Sequence, residues 1–362
     1  MSAHAAMTDS PERDLIACRE GAAGVIRLNR PKAINALTLE MTREIVAALN
    51  EFEADPGVSL VLLEGAGDRG LCAGGDIRGL YESAKAGGDL GPVFWREEYI
   101  LNARIPEFPK PYVAYMDGLV MGGGVGLSAH GAHRIVTDKT KMAMPEVGLG
   151  FFPDVGGTWL LSRAPGEIGT YFALTGQTMT GADAVYAGAA DVLIASNNWP
   201  ALRDALTNAP LRATSEHVRA IMARFAVTDI EAPIAAHREQ IDQAFDHDTI
   251  EAIVESLKQD GSEFALATLK ALSEKSPTAL KVTLKLLRRA RTSKSLKESL
   301  VREYNSALAV FTSAEFVEGV RAAIIDKDRN PKWSPSRIED VTPEIVETYF
   351  APNGKYKLVF PD

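Results

Sequence analysis

Apolar residues recur at two spacings along this chain of 362 residues. In the first half, short apolar runs alternate with stretches of helical spacing. Gly24-Val25-Ile26-Arg27-Leu28 predicts a strand that ends at Asn29-Arg30-Pro31. Met41, Ile45, Ala48, Leu49 and Phe52 then share one helical face, with a helix start at Thr38. Val58 to Leu63 is apolar almost throughout, which predicts a buried strand, and it closes in the turn-rich Gly65-Ala66-Gly67-Asp68-Arg69-Gly70. Tyr112 to Met116 and Arg134 to Val136 predict further strands. Strands alternating with helices make the first half α/β.

From about Arg212 the pattern turns mostly helical. Ser276-Pro277 is a strong helix start, a capping serine followed by proline at the first helical position. Leu280, Leu284 and Leu287 mark one face of that helix, widened by Val282 and Leu286. Lys281, Lys285, Arg288, Arg289, Arg291, Lys294 and Lys297 are interspersed without a single acid. Such a run is either a solvated face or an anion site, for instance for the phosphates of a large substrate. These shifts predict a disordered lead-in over 1–14, an α/β core over 15–211 and a helical C-terminal region over 212–362 that packs on the core.

A hydrophobic content of 46% with 24% charged residues describes an ordinary globular protein, and the length allows a large core. A net charge of −9 argues against a nucleic-acid-binding surface. No apolar run approaches the ~20 residues that a membrane span needs. Met1 to Asp14 has neither a signal peptide's apolar run nor an arginine-rich transit pattern. Cys18 and Cys72 are the only cysteines, which excludes a disulfide framework and a cysteine-rich metal site. A reducing interior follows, and with it the expectation of a cytoplasmic location.

The chemistry concentrates in glycine. Met121-Gly122-Gly123-Gly124-Val125-Gly126 places four glycines in five positions, between the strand at Tyr112 and a helix that leads through Leu127-Ser128-Ala129. Free N–H groups at such a helix start favour a developing negative charge. The plain alternative is a tight turn that packs a helix onto a strand. No Lys-Ser or Lys-Thr pair follows, so this is not a P-loop, and the run lies too far into the chain for a dinucleotide fingerprint. A second element, Leu71-Cys72-Ala73-Gly74-Gly75-Asp76-Ile77, precedes it. Two N–H donors from separate turns can converge on one oxygen, as an oxyanion hole requires.

Together with Arg30-Pro31-Lys32-Ala33-Ile34-Asn35-Ala36-Leu37 and Met144-Pro145-Glu146, these two elements resemble the enoyl-CoA hydratase/isomerase (crotonase) superfamily. The match is closer to its 3-hydroxyisobutyryl-CoA hydrolase branch. It is carried by Trp95-Arg96-Glu97-Glu98-Tyr99, Phe152-Pro153-Asp154-Val155-Gly156-Gly157, Ser276-Pro277-Thr278-Ala279-Leu280, Phe316-Val317-Glu318-Gly319 and Asp326-Lys327-Asp328-Arg329-Asn330-Pro331. The resemblance implies an α/β fold, a spiral of β-β-α units followed by a mainly helical C-terminal region. It also implies an acyl-CoA substrate whose CoA is no separate cofactor, no metal, and a homo-oligomer if the helical tail leaves room for one. Matched by motif, Gly75 and Gly123 are the oxyanion donors, Glu146 is nucleophile or base with Asp154 as partner, and Glu98 contacts the acyl hydroxyl. In the hydratase branch a glutamate stands where this chain has Gly126, and hydration needs groups that place water and deliver a proton to carbon. With that acid gone, the resemblance implies hydrolysis of a short 3-hydroxyacyl thioester. The alternatives are a hydratase or isomerase working with Glu146 and Asp154, and an acyl-CoA-binding protein without turnover.

Three decoys are set aside. His130 and His133 are spaced like zinc ligands, yet no third ligand follows. Ser128 sits in a near-copy of a nucleophile elbow in which His130 replaces the second glycine. Cys72 reads as small buried filler.

Overall fold

The computed structural model describes residues 13–351 and 354–361. Most of the expected lead-in lies outside the described residues; its last two, Arg13 and Asp14, are fixed by backbone carbonyls that accept from Asn29 at 2.8 Å each. The strands are β1 (Leu15–Glu20), β2 (Ala23–Leu28), β3 (Leu60–Gly65), β4 (Gly70–Cys72), β5 (Tyr112–Met116), β6 (Leu119–Met121), β7 (His133–Thr137), β8 (Lys141–Ala143), β9 (Met179–Thr180) and β10 (Val192–Ile194). One sheet runs β1-β2-β3-β5-β7-β10, and the other β4-β6-β8-β9. From β3 to β8 the chain lays a strand in the first sheet, then one in the second, and then turns through a helix. Repeated, that step is the expected spiral of β-β-α units.

The larger sheet is parallel except for the β1–β2 pair. Both of its faces are covered, which explains unbroken apolar strands such as β3. On one face Val25, Leu62 and Ile135 meet Leu202, Leu206 and Met222. On the other, one apolar cluster continues from Leu15 through the second sheet into the C-terminal helices as far as Leu358. The helix Leu39–Ala54 starts as its sequence predicts, with Thr38 Oγ1 accepting from Met41 N at 3.2 Å. Its predicted apolar face is its buried face. The C-terminal helix Leu296–Phe311 lies along Leu90–Arg104, where Tyr304 meets Tyr99 edge to face and donates to Pro92 O at 2.8 Å.

Two local expectations are corrected. The strand feeding the glycine run is the three-residue β6, too short to stand out in the sequence, and the helix begins at Gly123 inside the run. The basic stretch is not one helix: Pro277–Ala290 ends before Arg291, and Ser295 caps the next helix. Most of its cations are engaged by acids. Lys281 pairs with Glu251 at 2.5 Å, Lys285 with Glu347, Arg288 and Arg291 with the buried Glu167, and Lys297 with Glu107 at 2.8 Å. These acids come from distant segments, so the sequence run shows the cations without their partners.

Candidate active site

β4, β6 and β8 are adjacent and parallel, so their C-terminal ends lie side by side. Each end delivers one loop that carries candidate site residues: Ala73-Gly74-Gly75 after β4, Gly122-Gly123 after β6, and Met144-Pro145-Glu146 after β8. Ligand crevices form outside the carboxyl ends of parallel strands, and the same geometry operates here.

The two glycine loops bring their amides together. Leu37 pins the first loop on either side of Gly75, donating to Gly74 O and accepting from Asp76 N, each at 2.8 Å. Among the described residues, no acceptor takes the N–H of Gly75 or of Gly123. Gly74 (φ 105°) and Gly122 (φ 49°), each one residue before a donor, have left-handed backbone that a side chain would strain. A Cβ placed on Gly123 would lie 3.5 Å from Gly75 N and only 2.6 Å from Glu98 Oε1. A side chain there would have to push the Glu98 carboxyl aside, so two free amides and a carboxyl converge at this point.

Gly75, Gly123, Glu98, Glu146 and Asp154 all line one partly enclosed cavity. Its apolar wall is aromatic: Trp95 stacks on Phe151 with centroids 5.2 Å apart, and Phe316 lies 6.0 Å from Phe151. No lysine or arginine is among the lining residues. Three carboxyls thus share a low-dielectric space without a counter-ion, and burial pushes each one up. Glu98 is raised well above the ordinary range by burial and then by the charges of Asp154 and Glu146. Glu146 is raised in the same way by burial and by Asp154. Asp154 is pushed up to about 7 by burial, against the Tyr99 hydroxyl, which donates to its Oδ2 at 2.7 Å. Glu98 Oε1 and Glu146 Oε2 are buried without a protein partner among the described residues.

The decoys have other work. Ser128 Oγ donates to Gly124 O at 2.6 Å, inside its own helix. His130 Nε2 lies 2.8 Å from Val155 O, and burial pushes its ring down to about 4, so it is neutral and donates there. The Cys72 thiol is fully buried and pushed up to about 12, which leaves it without nucleophilic character at neutral pH.

Several neighbours carry no sequence signal. Tyr99 stands next to Glu98, but nothing in the helix pattern says that it reaches Asp154. Val155 fills the space beside Gly126: a Cβ on Gly126 would lie 2.6 Å from Val155 Cβ and 2.9 Å from Asn102 Nδ2. The backbone is therefore sealed where an acid would have to stand.

The family model for enoyl-CoA hydratase/isomerase matches residues 23–350. The mitochondrial 3-hydroxyisobutyryl-CoA hydrolase of Xenopus tropicalis is 43% identical, over 98% of this chain and 94% of that protein. Among solved structures, a carnitinyl-CoA dehydratase from Mycobacterium thermoresistibile is 45% identical with a TM-score of 0.90, covering 96% of this chain and 98% of that one. An enoyl-CoA hydratase from Rhodobacter sphaeroides 2.4.1 is 42% identical with a TM-score of 0.89, covering 96% and 100%. The expected cytoplasmic location is overturned, because the curated relatives of the hydrolase type are mitochondrial proteins. A count of only two cysteines suits any reducing environment and is not specific to one compartment. The chain belongs to the enoyl-CoA hydratase/isomerase family, and within it is closely related to the 3-hydroxyisobutyryl-CoA hydrolases.

Proposed function

We propose that this protein hydrolyses the thioester of a short 3-hydroxyacyl-CoA, 3-hydroxyisobutyryl-CoA in the first instance, to the free acid and CoA. One observation carries the reading: two free amides, at Gly75 and Gly123, face buried carboxyls in a cavity whose wall at Gly126 is closed by Val155. The thioester carbonyl oxygen accepts from both amides, which hold the negative charge of the tetrahedral intermediate. Glu146, made more basic by burial, either attacks the carbonyl or takes the proton of a water that does. Asp154, titrating near neutrality, positions that water and passes its proton on. Glu98 Oε1 accepts from the acyl hydroxyl. A thiolate leaves without needing an acid, so the site does not require the missing carboxyl.

The aromatic wall favours a short acyl group, and CoA enters as part of the substrate. We also propose the division into a core over 15–211 and a helical region over 212–362, with self-association as an open face of the same family. The hydratase reading is the runner-up, supported by what the two similar solved structures are called.

Thiol release from a panel of acyl-CoA thioesters tests the proposal, with Glu146→Gln and Asp154→Asn as variants. Loss of turnover in both is expected; unchanged turnover removes these roles. Loss of enoyl absorbance without thiol release favours hydration instead. A single turnover in heavy-oxygen water separates the two roles of Glu146, since label in its side chain requires an anhydride.

A further inference from the structure

The turn that carries Asp154 is built against local preference. Val155 has φ 50° and Gly156 φ 80°. Glycine adopts that backbone freely, but a β-branched residue does so only when its surroundings enforce it. The enforcing contacts come from outside the turn. Glu303, fully buried on the C-terminal helix Leu296–Phe311, accepts from Gly156 N at 2.7 Å through one oxygen and from Thr158 N at 3.1 Å through the other. Thr158 Oγ1 donates to the same carboxyl group. His130 also donates to Val155 O at 2.8 Å. A Cβ on Gly156 would lie 2.5 Å from His130 Nε2, so the turn is packed as well as bonded. The chemistry of the proposed reaction uses none of these groups.

We infer that Glu303 is a positioning residue for Asp154: its carboxyl group holds the Val155–Gly156 turn in left-handed backbone and so fixes the Asp154 side chain against Tyr99. The C-terminal region thereby takes part in the site through 147 residues of sequence separation. All three donors to Glu303 lie within four residues of Asp154, and Tyr304, next to Glu303, packs on the Tyr99 ring. Both ends of the Tyr99–Asp154 hydrogen bond are thus set by one helix turn.

The kinetic part of the test rests on the hydrolase reading; the structural part does not. Glu303→Gln keeps the size and one acceptor but loses the other. Its kcat for thiol release falls about tenfold or more with KM within about twofold of wild type, because a misplaced catalytic group costs turnover rather than binding. Thr158→Val, which removes one donor and leaves both backbone N–H groups, shows a smaller fall of the same kind. An unchanged kcat in Glu303→Gln, or a loss that appears wholly in KM, overturns the inference. If Glu303→Gln does not fold, Thr158→Val decides it by the same criterion. A crystal structure of the variant in which Val155 keeps its positive φ and Asp154 its bond to Tyr99 overturns it whatever the activity. A wild type that releases no thiol sinks the hydrolase reading alone, and that structural comparison, made on either variant, then decides the role of Glu303.

Discussion

Replacing Asp154 by asparagine should make the protein more stable while it loses turnover. Burial raises this carboxyl from 3.8 to about 7, opposed by the Tyr99 hydroxyl and then by its own backbone N–H. A group whose native value is raised holds a proton that the unfolded chain gives up earlier. Its stabilising share is complete below the unfolded value and is lost as pH rises through the native one. The full penalty is about 4 kcal/mol at ~1.4 kcal/mol per pH unit. Between pH 5 and pH 8 wild type should therefore lose about 2–3 kcal/mol that Asp154→Asn keeps. The neighbours act in the same direction, since the Asp154 charge also raises Glu98 and Glu146. Asparagine preserves the volume, and its carbonyl still accepts from Tyr99, so packing does not obscure the comparison. Urea unfolding of both proteins at pH 5 and pH 8 measures the gap. A gap that does not widen with pH would falsify the account of three carboxyls buried without a counter-ion.

Gly126→Ala should destabilise by about 1–3 kcal/mol, because the new methyl overlaps Val155, and thermal unfolding reads this directly. Gly126→Glu should gain no enoyl-CoA hydration for the same steric reason; measurable hydration in that single variant would count against the closed wall. Tyr99→Phe removes the hydrogen bond that holds Asp154 down, so its carboxyl rises and the acidic limb of the kcat/KM profile moves to higher pH. An unmoved limb would separate that limb from Asp154. Phe151→Ala opens the aromatic wall: stability falls by about 3–5 kcal/mol, and the preference for short over long acyl chains, compared by thiol release, weakens.

The helix Leu39–Ala54, the strands β2, β3, β5 and β7, and the capped start at Ser276 were legible because each follows from a local rule: periodicity, apolar run or capping chemistry. The strands β4, β6 and β8 span three residues each, too few for a period to show. Yet they position the site, and only pairing between distant segments makes them strands. The basic run misled for a related reason. Its cations are visible in one stretch, whereas Glu251, Glu347, Glu167 and Glu107 arrive from four others.

The sequence by itself determined the class of fold, the two glycine elements and the acids available to them, since these depend on residue type and order. It also determined the absence of an acid at Gly126. Tertiary structure decided what those residues meet. It turned two glycine loops into neighbouring free amides and packed Val155 against Gly126. It also buried Glu98, Glu146 and Asp154 together in a cavity that no lysine or arginine lines among the described residues. Position in space sets dielectric, charge proximity and hydrogen-bond supply, and these govern a carboxyl's proton affinity. A glutamate or aspartate in the sequence carries none of that information until its surroundings are folded around it.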